Sequence, residues 1–424
     1  MIPPVTRQRG TGFGLLASLL SLAVLAGAGT AGWQSLRVRR AARGATPVHF
    51  DQGLTVLDPQ APAGWTNRWC GSCHQHEYER WTKSRHALAG VNDNFQAVFR
   101  HKELGRQQWC LNCHAPANPG RDRMPTTEQA AIDRLFQSPP DWLTNGVDCL
   151  ACHVRDGKVL VSTVTPEAEK AHSSRLAPEL ASPEFCAGCH QFRFKGYHAP
   201  DSFYGQYQQA SLQEFLDFRS RGGTQDRCHD CHMPQNDHLM PGGYSPQMLQ
   251  RAIGLDLSAD WVQDQNAVRV SVGISARRVG HRVPGGEYFR FLTLHTVLTD
   301  DSGSKVTAGP GTCPKPDTSA IEERWVSHWP QTETVRRLIG AVEQEWNVPS
   351  AKPLPDTRLW PGEARRFTYL MAIDPAQAKP PFRARAEVWY HLMDDNEARE
   401  FHFQPEEVTW LVRSDETELV LSRE

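Results

Sequence analysis

The sequence predicts a chain in two structural parts, a mainly α N-terminal part with few regular elements and an all-β, sandwich-like C-terminal domain. Two observations support this division. A short motif, C-x-x-C-H, occurs five times between residues 70 and 232, and only brief helical signals separate the copies. From about residue 258, apolar and polar residues alternate with a period of two, which is typical of half-buried strands. We therefore divide the chain into residues 1–45, 46–257 and 258–424.

Composition excludes several classes of protein. The chain has 424 residues, with 46 Lys and Arg against 48 Asp and Glu, and its net charge is −2. Nucleic-acid-binding domains usually carry a basic face, so we expect no nucleic-acid partner. Charged residues make up 22% of the chain and hydrophobic residues 39%, which favours a water-soluble body over a multi-span membrane protein. Eleven cysteines cannot all pair with one another, which excludes a complete internal disulfide framework.

An uncharged run at residues 13–33 follows Arg7 and Arg9, and this is the pattern of an export signal. Cleavage near the small residues at positions 26–28 would leave a soluble periplasmic protein. Retention would leave 21 apolar residues, about the length that crosses a bilayer as a helix. We favour a retained anchor on the periplasmic side of a bacterial membrane, because the run is longer than a usual signal core. The arginines that follow this run argue against that topology, because the positive-inside rule associates such residues with the cytoplasmic side of a membrane.

Ten of the eleven cysteines belong to the five motifs, which we number sites 1 to 5 in chain order. C-x-x-C-H is the attachment signature of c-type haem. Two thiols one helical turn apart bond covalently to one porphyrin, and the adjacent histidine ligates its iron. Zinc would need a fourth ligand at each site and would not explain the repeated histidine. We therefore predict five covalently attached haem c groups. The residues are Cys70, Cys73 and His74; Cys110, Cys113 and His114; Cys149, Cys152 and His153; Cys186, Cys189 and His190; and Cys228, Cys231 and His232.

The spacing of the motifs predicts how the N-terminal part is filled. Successive motifs start 40, 39, 37 and 42 residues apart, and their flanking sequences differ, which is not the pattern of a solenoid repeat. About 33 residues are available for each motif, too few to build an ordinary apolar core around each group. We therefore expect a haem-packed multihaem cytochrome c domain at residues 46–257, in which closely spaced porphyrins form much of the interior.

A longer pattern surrounds site 1, where Cys70 to Ala87 read C-x-x-C-H-x-x-x-Y-x-x-W-x-x-S-x-H-A. This segment resembles the first haem segment of multihaem cytochromes related to cytochrome c-554 and hydroxylamine oxidoreductase. The resemblance implies that His86 is an axial ligand, usually to a neighbouring haem. His76 lies two residues after a proximal ligand and is too close to serve the same iron.

Three further stretches resemble segments of the same superfamily, and the likeness covers roughly residues 65–300. It implies distal ligands at His172, which precedes site 4, at His238 in the Asp-His pair after site 5, and at His281 in Gly-His-Arg-Val-Pro-Gly-Gly. Relatives often have a histidine where Tyr244 stands. His101 and His198 compete for a fifth distal position. We interpret the other histidines as ordinary; they are His49, His229, His295, His328, His391 and His402.

Other local signals are weaker. Ser211 and Glu214 match a capping box, which predicts a helix with Leu212, Phe215 and Leu216 on its buried face. In the C-terminal domain, alternation at residues 268–274, 367–373 and 384–390 predicts strands, and residues 321–346 are a possible helical interruption. Cys313 is the one cysteine outside the motifs and is interpreted as an unpaired thiol.

The function we expect from the sequence is electron transfer by an exported pentahaem cytochrome. Ligation by two histidines closes both axial positions of an iron, which suits a relay rather than catalysis. Its partners would be a membrane quinol-oxidising complex or a periplasmic carrier. The alternative is a multihaem oxidoreductase acting on a small nitrogen or sulfur compound at one five-coordinate haem, with site 2 as the candidate. A third possibility is a subunit of a larger redox assembly.

Overall fold

The computed structural model describes ten stretches of the chain: residues 61–100, 110–117, 129–192, 207–287, 289–306, 324–325, 331–336, 356–374, 379–393 and 395–420. The apolar run at residues 13–33, His101, His198 and Cys313 lie outside these stretches, so our expectations for them stay predictions. Within the described residues, no helix has the length and apolar character needed to span a bilayer.

The first part of the chain is built from short helices joined by turns. Each of the five motifs lies on or directly beside one of them. The helices are Asn67–Gly71, Gln75–Thr82, Asp93–Arg100, Leu111–His114, Gln129–Gln137, Asp141–Thr144, Cys149–His153, Pro166–Ala171, Pro183–His190, Ser211–Ser220, Cys228–His232 and Pro246–Ala252. Five short strands accompany them: β1 (Val154–Arg155), β2 (Lys158–Val161), β3 (Ser174–Leu176), β4 (Gln191–Phe192) and β5 (Gln209–Ala210). The first three form one sheet, and β4 pairs with β5 in antiparallel register.

This first part has little apolar core of its own among the described residues. One cluster of seven buried side chains lies around Phe95, Leu111 and Leu143, and a second contains only Ala187, Leu212 and Phe215. Both clusters are small beside that of the C-terminal part. Side-chain packing alone is therefore a minor source of stability for the helical part.

The C-terminal part is made of two four-stranded sheets. Their strands are β6 (Ile253–Val262), β7 (Ala267–Ala276), β8 (Phe291–Thr299), β9 (Arg324–Trp325), β10 (Gln331–Arg336), β11 (Ala364–Ala372), β12 (Phe382–His391) and β13 (Thr409–Leu419). The strand orders are β6-β7-β11-β9 and β10-β8-β12-β13, and neighbours are antiparallel except for the short β11–β9 pair. Helices Asp395–Glu400 and Pro405–Val408 connect β12 to β13.

The alternation predicted from the sequence forms the core between these sheets. Val268, Val270, Val272 and Ile274 of β7 are fully buried. Alternate residues of β11 and β12 join them in one cluster, because side chains on a strand alternate between its two faces. Trp261 of β6 stacks on Phe382 of β12 at 6.3 Å between ring centroids, so the two sheets pack face to face as in a sandwich.

Several expectations for individual elements are wrong. The helix Ser211–Ser220 forms, but its N-cap is Ala210, and its first-turn amide Gln213 N donates to Gln191 Oε1 at 2.6 Å rather than to Ser211. The carboxylate of Glu214 binds Arg358. Leu216 is 41% exposed rather than buried. The described residues between 321 and 346 form strands β9 and β10, so the helix expected there is absent from that described part. The first long strand begins at Ile253, five residues before the expected boundary, because Ile253 and Gly254 are already paired with β7.

Candidate haem-binding sites

At sites 1, 3 and 4, the attachment motif lies on a short helix whose N-terminal amide is capped by a side chain. Thr66 accepts a hydrogen bond from Trp69 N before site 1, Asp148 from Ala151 N before site 3, and Ser182 from Phe185 N before site 4. A cap stabilises a helix too short to persist alone. The helical turn brings cysteines three positions apart to the same side, which is the geometry that one porphyrin edge requires.

Three pairs of histidines face each other across gaps of similar size. The ring centroids of His86 and His190 are 6.0 Å apart, those of His153 and His238 are 6.3 Å apart, and those of His232 and His281 are 6.3 Å apart. Two metal–nitrogen bonds of about 2.0–2.1 Å, plus about 1.1 Å within each ring, predict a separation of about 6.2 Å for an axially ligated ion. The residues present therefore fit an iron bound between each pair.

Hydrogen bonds orient these rings for ligation. The Nδ1 atoms of His153, His232, His238 and His281 lie 3.1, 2.7, 2.7 and 2.9 Å from backbone oxygens of Leu160, Pro241, Asn236 and Arg282. His190 Nδ1 lies 3.2 Å from Gln209 Oε1, and His86 Nδ1 contacts Met240 Sδ. An Nδ1–H donor fixes the tautomer in which Nε2 carries the free lone pair.

Desolvation favours the neutral form of several histidines of the motifs and of His86. Desolvation lowers the pKa of His86 to about 3 and that of His232 to about 4. It also lowers the pKa of His114, His153 and His190. Neutral imidazole is the form that binds metals, so these side chains need no deprotonation at neutral pH.

His86 is held by its own turn and by the segment before site 3. Ser84 is buried and its Oγ accepts from Ala87 N at 3.2 Å, while Val147 N donates to His86 O at 2.9 Å. Gly146 has φ +56°, and a side chain there would collide with His86 O. The S-x-H-A segment thus points His86 away from site 1 and toward His190 of site 4.

His238 and His281 are positioned by ion pairs. Arg80 Nε donates to Asp237 Oδ1 at 2.7 Å, beside His238, and this interaction lowers the pKa of Asp237 to about 2. Beside His281, Arg282 N donates to Glu214 Oε2 at 3.1 Å. Glu214 in turn pairs with Arg358, whose side chain is 5% exposed. Arg358 Nη1 also donates to Pro284 O, which closes the turn around His281.

Thiols from different motifs lie against one another. Cys70 of site 1 lies beside Cys149 of site 3. Cys113 of site 2 lies beside Cys189 of site 4. Cys186 of site 4 lies beside Cys228 of site 5. The attachment points therefore form neighbouring pairs 1–3, 2–4 and 4–5, with site 4 shared by the last two.

Sites 1 and 2 differ from the others. Among the residues that the structure describes, no histidine ring faces His74 or His114 in the manner of the three pairs. His114 has its Nδ1 2.9 Å from Ala89 O, and Phe95 stacks on its ring at 4.0 Å. His172 follows a helix and lies 3.2 Å from Ser174 Oγ, without a described ring contact to a proximal histidine. Its role as a ligand stays a prediction.

Several other histidines that the structure describes are exposed or make polar contacts with neighbouring side chains. His76 is exposed, and His229 is paired with Asp230 at 3.0 Å. His391 and His295 bond to threonine hydroxyls in the second sheet. Tyr244, at the position where relatives have histidine, accepts from Asn94 Nδ2 at 2.7 Å. Gln209 contacts His190 of site 4, and Glu287 contacts Gln209. Neither residue has a local sequence signal, so the sequence does not predict these contacts.

The fold and the sites resemble those of multihaem c-type cytochromes. Residues 69–154, which contain three of the motifs, match the family described as cytochrome c554 and c-prime. Hydroxylamine oxidoreductase, the other relative expected from the sequence, is not among the matches. No curated protein matches the chain.

A solved structure shares the fold of the chain. The structure of a penta-heme cytochrome c552 from Thermochromatium tepidum aligns with a TM-score of 0.61 and covers 84% of this chain and 99% of its own. The sequence identity is 23%, so the likeness shows the fold.

Proposed function

We propose that this chain is a pentahaem cytochrome, exported to the periplasmic side of a bacterial membrane, that relays electrons between a donor and a redox partner. The donor would be a membrane quinol-oxidising complex or a periplasmic carrier. The observation that carries the proposal is the set of three facing histidine pairs, which would hold an iron from both sides at sites 3, 4 and 5. When bound, haem c supplies a one-electron couple at each site.

The protein's own residues support the relay in two ways. His153 with His238, His190 with His86, and His232 with His281 would hold iron from both sides, so that oxidation and reduction change the ligand geometry little. The short contacts between motifs keep the sites close together.

A second candidate is an oxidoreductase that acts on a small nitrogen or sulfur compound at site 2. The specific observation in its favour is that His114 has no facing histidine among the described residues. His101 and His198 lie outside those residues, and either would close the site as a distal ligand. The relay stays the stronger proposal because three of five sites are built with paired ligands.

Low-temperature electron paramagnetic resonance of the holoprotein tests both proposals. Pyridine haemochrome analysis gives the haem content, and we expect five haems per chain. Five low-spin signals would support the relay. A high-spin signal that responds to nitrite or hydroxylamine would instead support the oxidoreductase, and a haem content other than five would contradict the pentahaem assignment.

A further inference from the structure

The proximal histidines differ in what accepts their Nδ1 proton. At sites 2, 3 and 5 the acceptor is a backbone carbonyl, of Ala89, Leu160 and Pro241 respectively. At site 4 the acceptor is the side chain of Gln209, with 3.2 Å between His190 Nδ1 and Gln209 Oε1. The hydrogen-bond acceptor at site 4 is therefore a side chain, which a single substitution can change while the backbone stays in place.

Gln209 is itself bound to a carboxylate. Its Nε2 donates to Glu287 Oε1, while Nε2 of the neighbouring Gln208 donates to Glu287 Oε2. Strand pairing fixes both glutamines, because Gln209 lies opposite Phe192, two residues after His190, and Gln208 N donates to Phe192 O. Glu287 lies six residues after His281, in the segment between β7 and β8. A continuous chain of hydrogen bonds thus runs from Glu287 through Gln209 to His190.

The charges around His190 act in opposite directions. Burial lowers the pKa of His190, and the Gln209 hydrogen bond and the charge of Glu287 oppose this effect. The charge of Arg290, whose guanidinium bonds to Tyr390 OH at 3.2 Å, lowers the pKa of His190, as burial does. The charge of Glu287 also raises the pKa of His114 of site 2. Glu287 therefore acts on His190 through its charge as well as through Gln209.

A negative charge at the end of this chain has a defined electronic consequence. An acceptor on Nδ1–H draws the proton away from the ring and makes Nε2 a stronger donor. A stronger donor, together with a nearby negative charge, stabilises ferric over ferrous iron and lowers the reduction potential. A backbone carbonyl gives the first effect without the second.

We propose that Glu287 is a positioning residue that acts through Gln209 on His190 and lowers the reduction potential of the iron held at site 4 relative to the other two paired sites. This inference rests on the proposed electron relay, because site 4 adjoins both site 2 and site 5. An iron of lower reduction potential at that position would be reduced only transiently. Electrons would therefore pass through site 4 and would not accumulate there.

The ligand planes provide a way to observe site 4 separately. His86 and His190 are 67° apart, whereas His232 and His281 are 13° apart. Near-perpendicular imidazole planes give a strongly anisotropic low-spin resonance, and near-parallel planes give a rhombic one. Site 4 and site 5 can therefore be followed as different signals during a redox titration of the full-length holoprotein.

The test compares Glu287→Gln and Gln209→Leu with Gln208→Leu, which removes a hydrogen bond to the same carboxylate but none to His190. In Glu287→Gln, we expect the reduction equilibrium of the anisotropic signal to shift at least tenfold toward ferrous iron, about 59 mV for one electron. Gln209→Leu should shift the same signal in the same direction. Gln208→Leu should shift it less, and the rhombic signal should not move. Glu287→Asp, which keeps the charge, should recover part of the wild-type potential.

Two results would overturn the inference. One is an anisotropic signal that titrates at the wild-type potential in Glu287→Gln and Gln209→Leu. The other is an equal shift of all signals, also produced by the exposed substitution Glu418→Gln. The failure of the relay itself would look different, because the wild-type protein would then show a high-spin signal that responds to nitrite or hydroxylamine. If Glu287→Gln does not assemble, Gln209→Leu and Glu287→Asp decide the question.

Discussion

Arg80 and Asp237 join the helix after site 1 to the turn that carries His238. Both nitrogens of the Arg80 fork face the carboxylate, and the sequence separation between the two residues is 157. Planar, bidentate pairing of this kind restricts orientation as well as distance. A residue next to site 1 therefore helps to place the ring that faces His153 of site 3.

Removal of this pair should loosen His238. In Arg80→Ala, we expect a partial conversion of one low-spin haem to high spin, because the turn at Asp237 loses its anchor. Electronic absorption and electron paramagnetic resonance of the ferric holoprotein measure that fraction. Arg175→Ala, which removes an exposed ion pair with Glu179, serves as the control and should leave the spectrum unchanged. An unchanged Arg80→Ala spectrum would show that the pair is dispensable for positioning.

Each distal assignment has its own test. His86→Ala, His238→Ala and His281→Ala should each convert one haem to high spin, at sites 4, 3 and 5 respectively, because each removes one member of a facing pair. Added imidazole should restore the low-spin signal by occupying the vacated space. His76→Ala is the matched control, since His76 is exposed and adjacent to a proximal histidine. A low-spin His281→Ala protein would contradict the pairing with His232.

The buried Glu214–Arg358 pair should contribute to both stability and ligand placement. Its side chains are 9% and 5% exposed, and after removal of Glu214 the guanidinium of Arg358 keeps only Asp356, at 2.8 Å, as an acidic partner. We expect Glu214→Gln to lower the free energy of unfolding by about 1–3 kcal/mol, because one buried hydrogen bond of Arg358 is lost. Denaturant titration measures this loss. Glu418→Gln breaks the exposed pair with Arg383 and should cost at most about 1 kcal/mol. Equal losses in both variants would refute the prediction.

His391 should make the β part less stable in acid. Burial lowers its pKa from 6.5 to about 4. Between these values the unfolded chain binds the proton and the folded chain does not, so stability falls as pH falls from about 6.5 toward 4. The loss attributable to His391 is at most about 3 kcal/mol, and its partial exposure reduces that figure.

The variant His391→Gln isolates this contribution. It retains a hydrogen-bonding side chain beside Thr293 and Thr409 but cannot titrate. The difference in unfolding free energy between the wild-type protein and the variant, measured from pH 7.5 to pH 4, should shrink as the pH falls. Other groups, such as Asp148, whose burial raises its pKa to about 6, titrate in both proteins and cancel in the difference. A difference that does not vary with pH would exclude His391 as the source.

The sequence predicts the features whose cause is local. The attachment motifs are five-residue patterns, and the alternation at Val268–Ile274 follows from the two faces of a strand. The facing positions of His86, His238 and His281 came from resemblance, and which proximal histidine each one faces needed the structure. Those pairs join residues far apart in the chain, so the spacing of residues along the sequence does not predict them.

The features that sequence reasoning missed are made by tertiary contact. Glu214 fits a capping box by spacing, but the nearby guanidinium of Arg358 is a stronger partner for its carboxylate than a backbone amide. Leu216 has the right helical phase for burial and still faces solvent. Gln209 and Glu287 are 78 positions apart and become neighbours only when the β part packs on site 4.

The short segment between β7 and β8 has a consequence for biogenesis. It delivers His281 toward site 5 and Glu287 toward the partner of His190 at site 4. Thioether bonds need only the cysteine motifs, and all five motifs precede this segment in the chain. Covalent attachment at site 5 could therefore precede folding, whereas ligation by His281 would have to wait until the C-terminal sheets have formed. A chain truncated before this segment would therefore carry covalently attached haem but would lack ligation by His281.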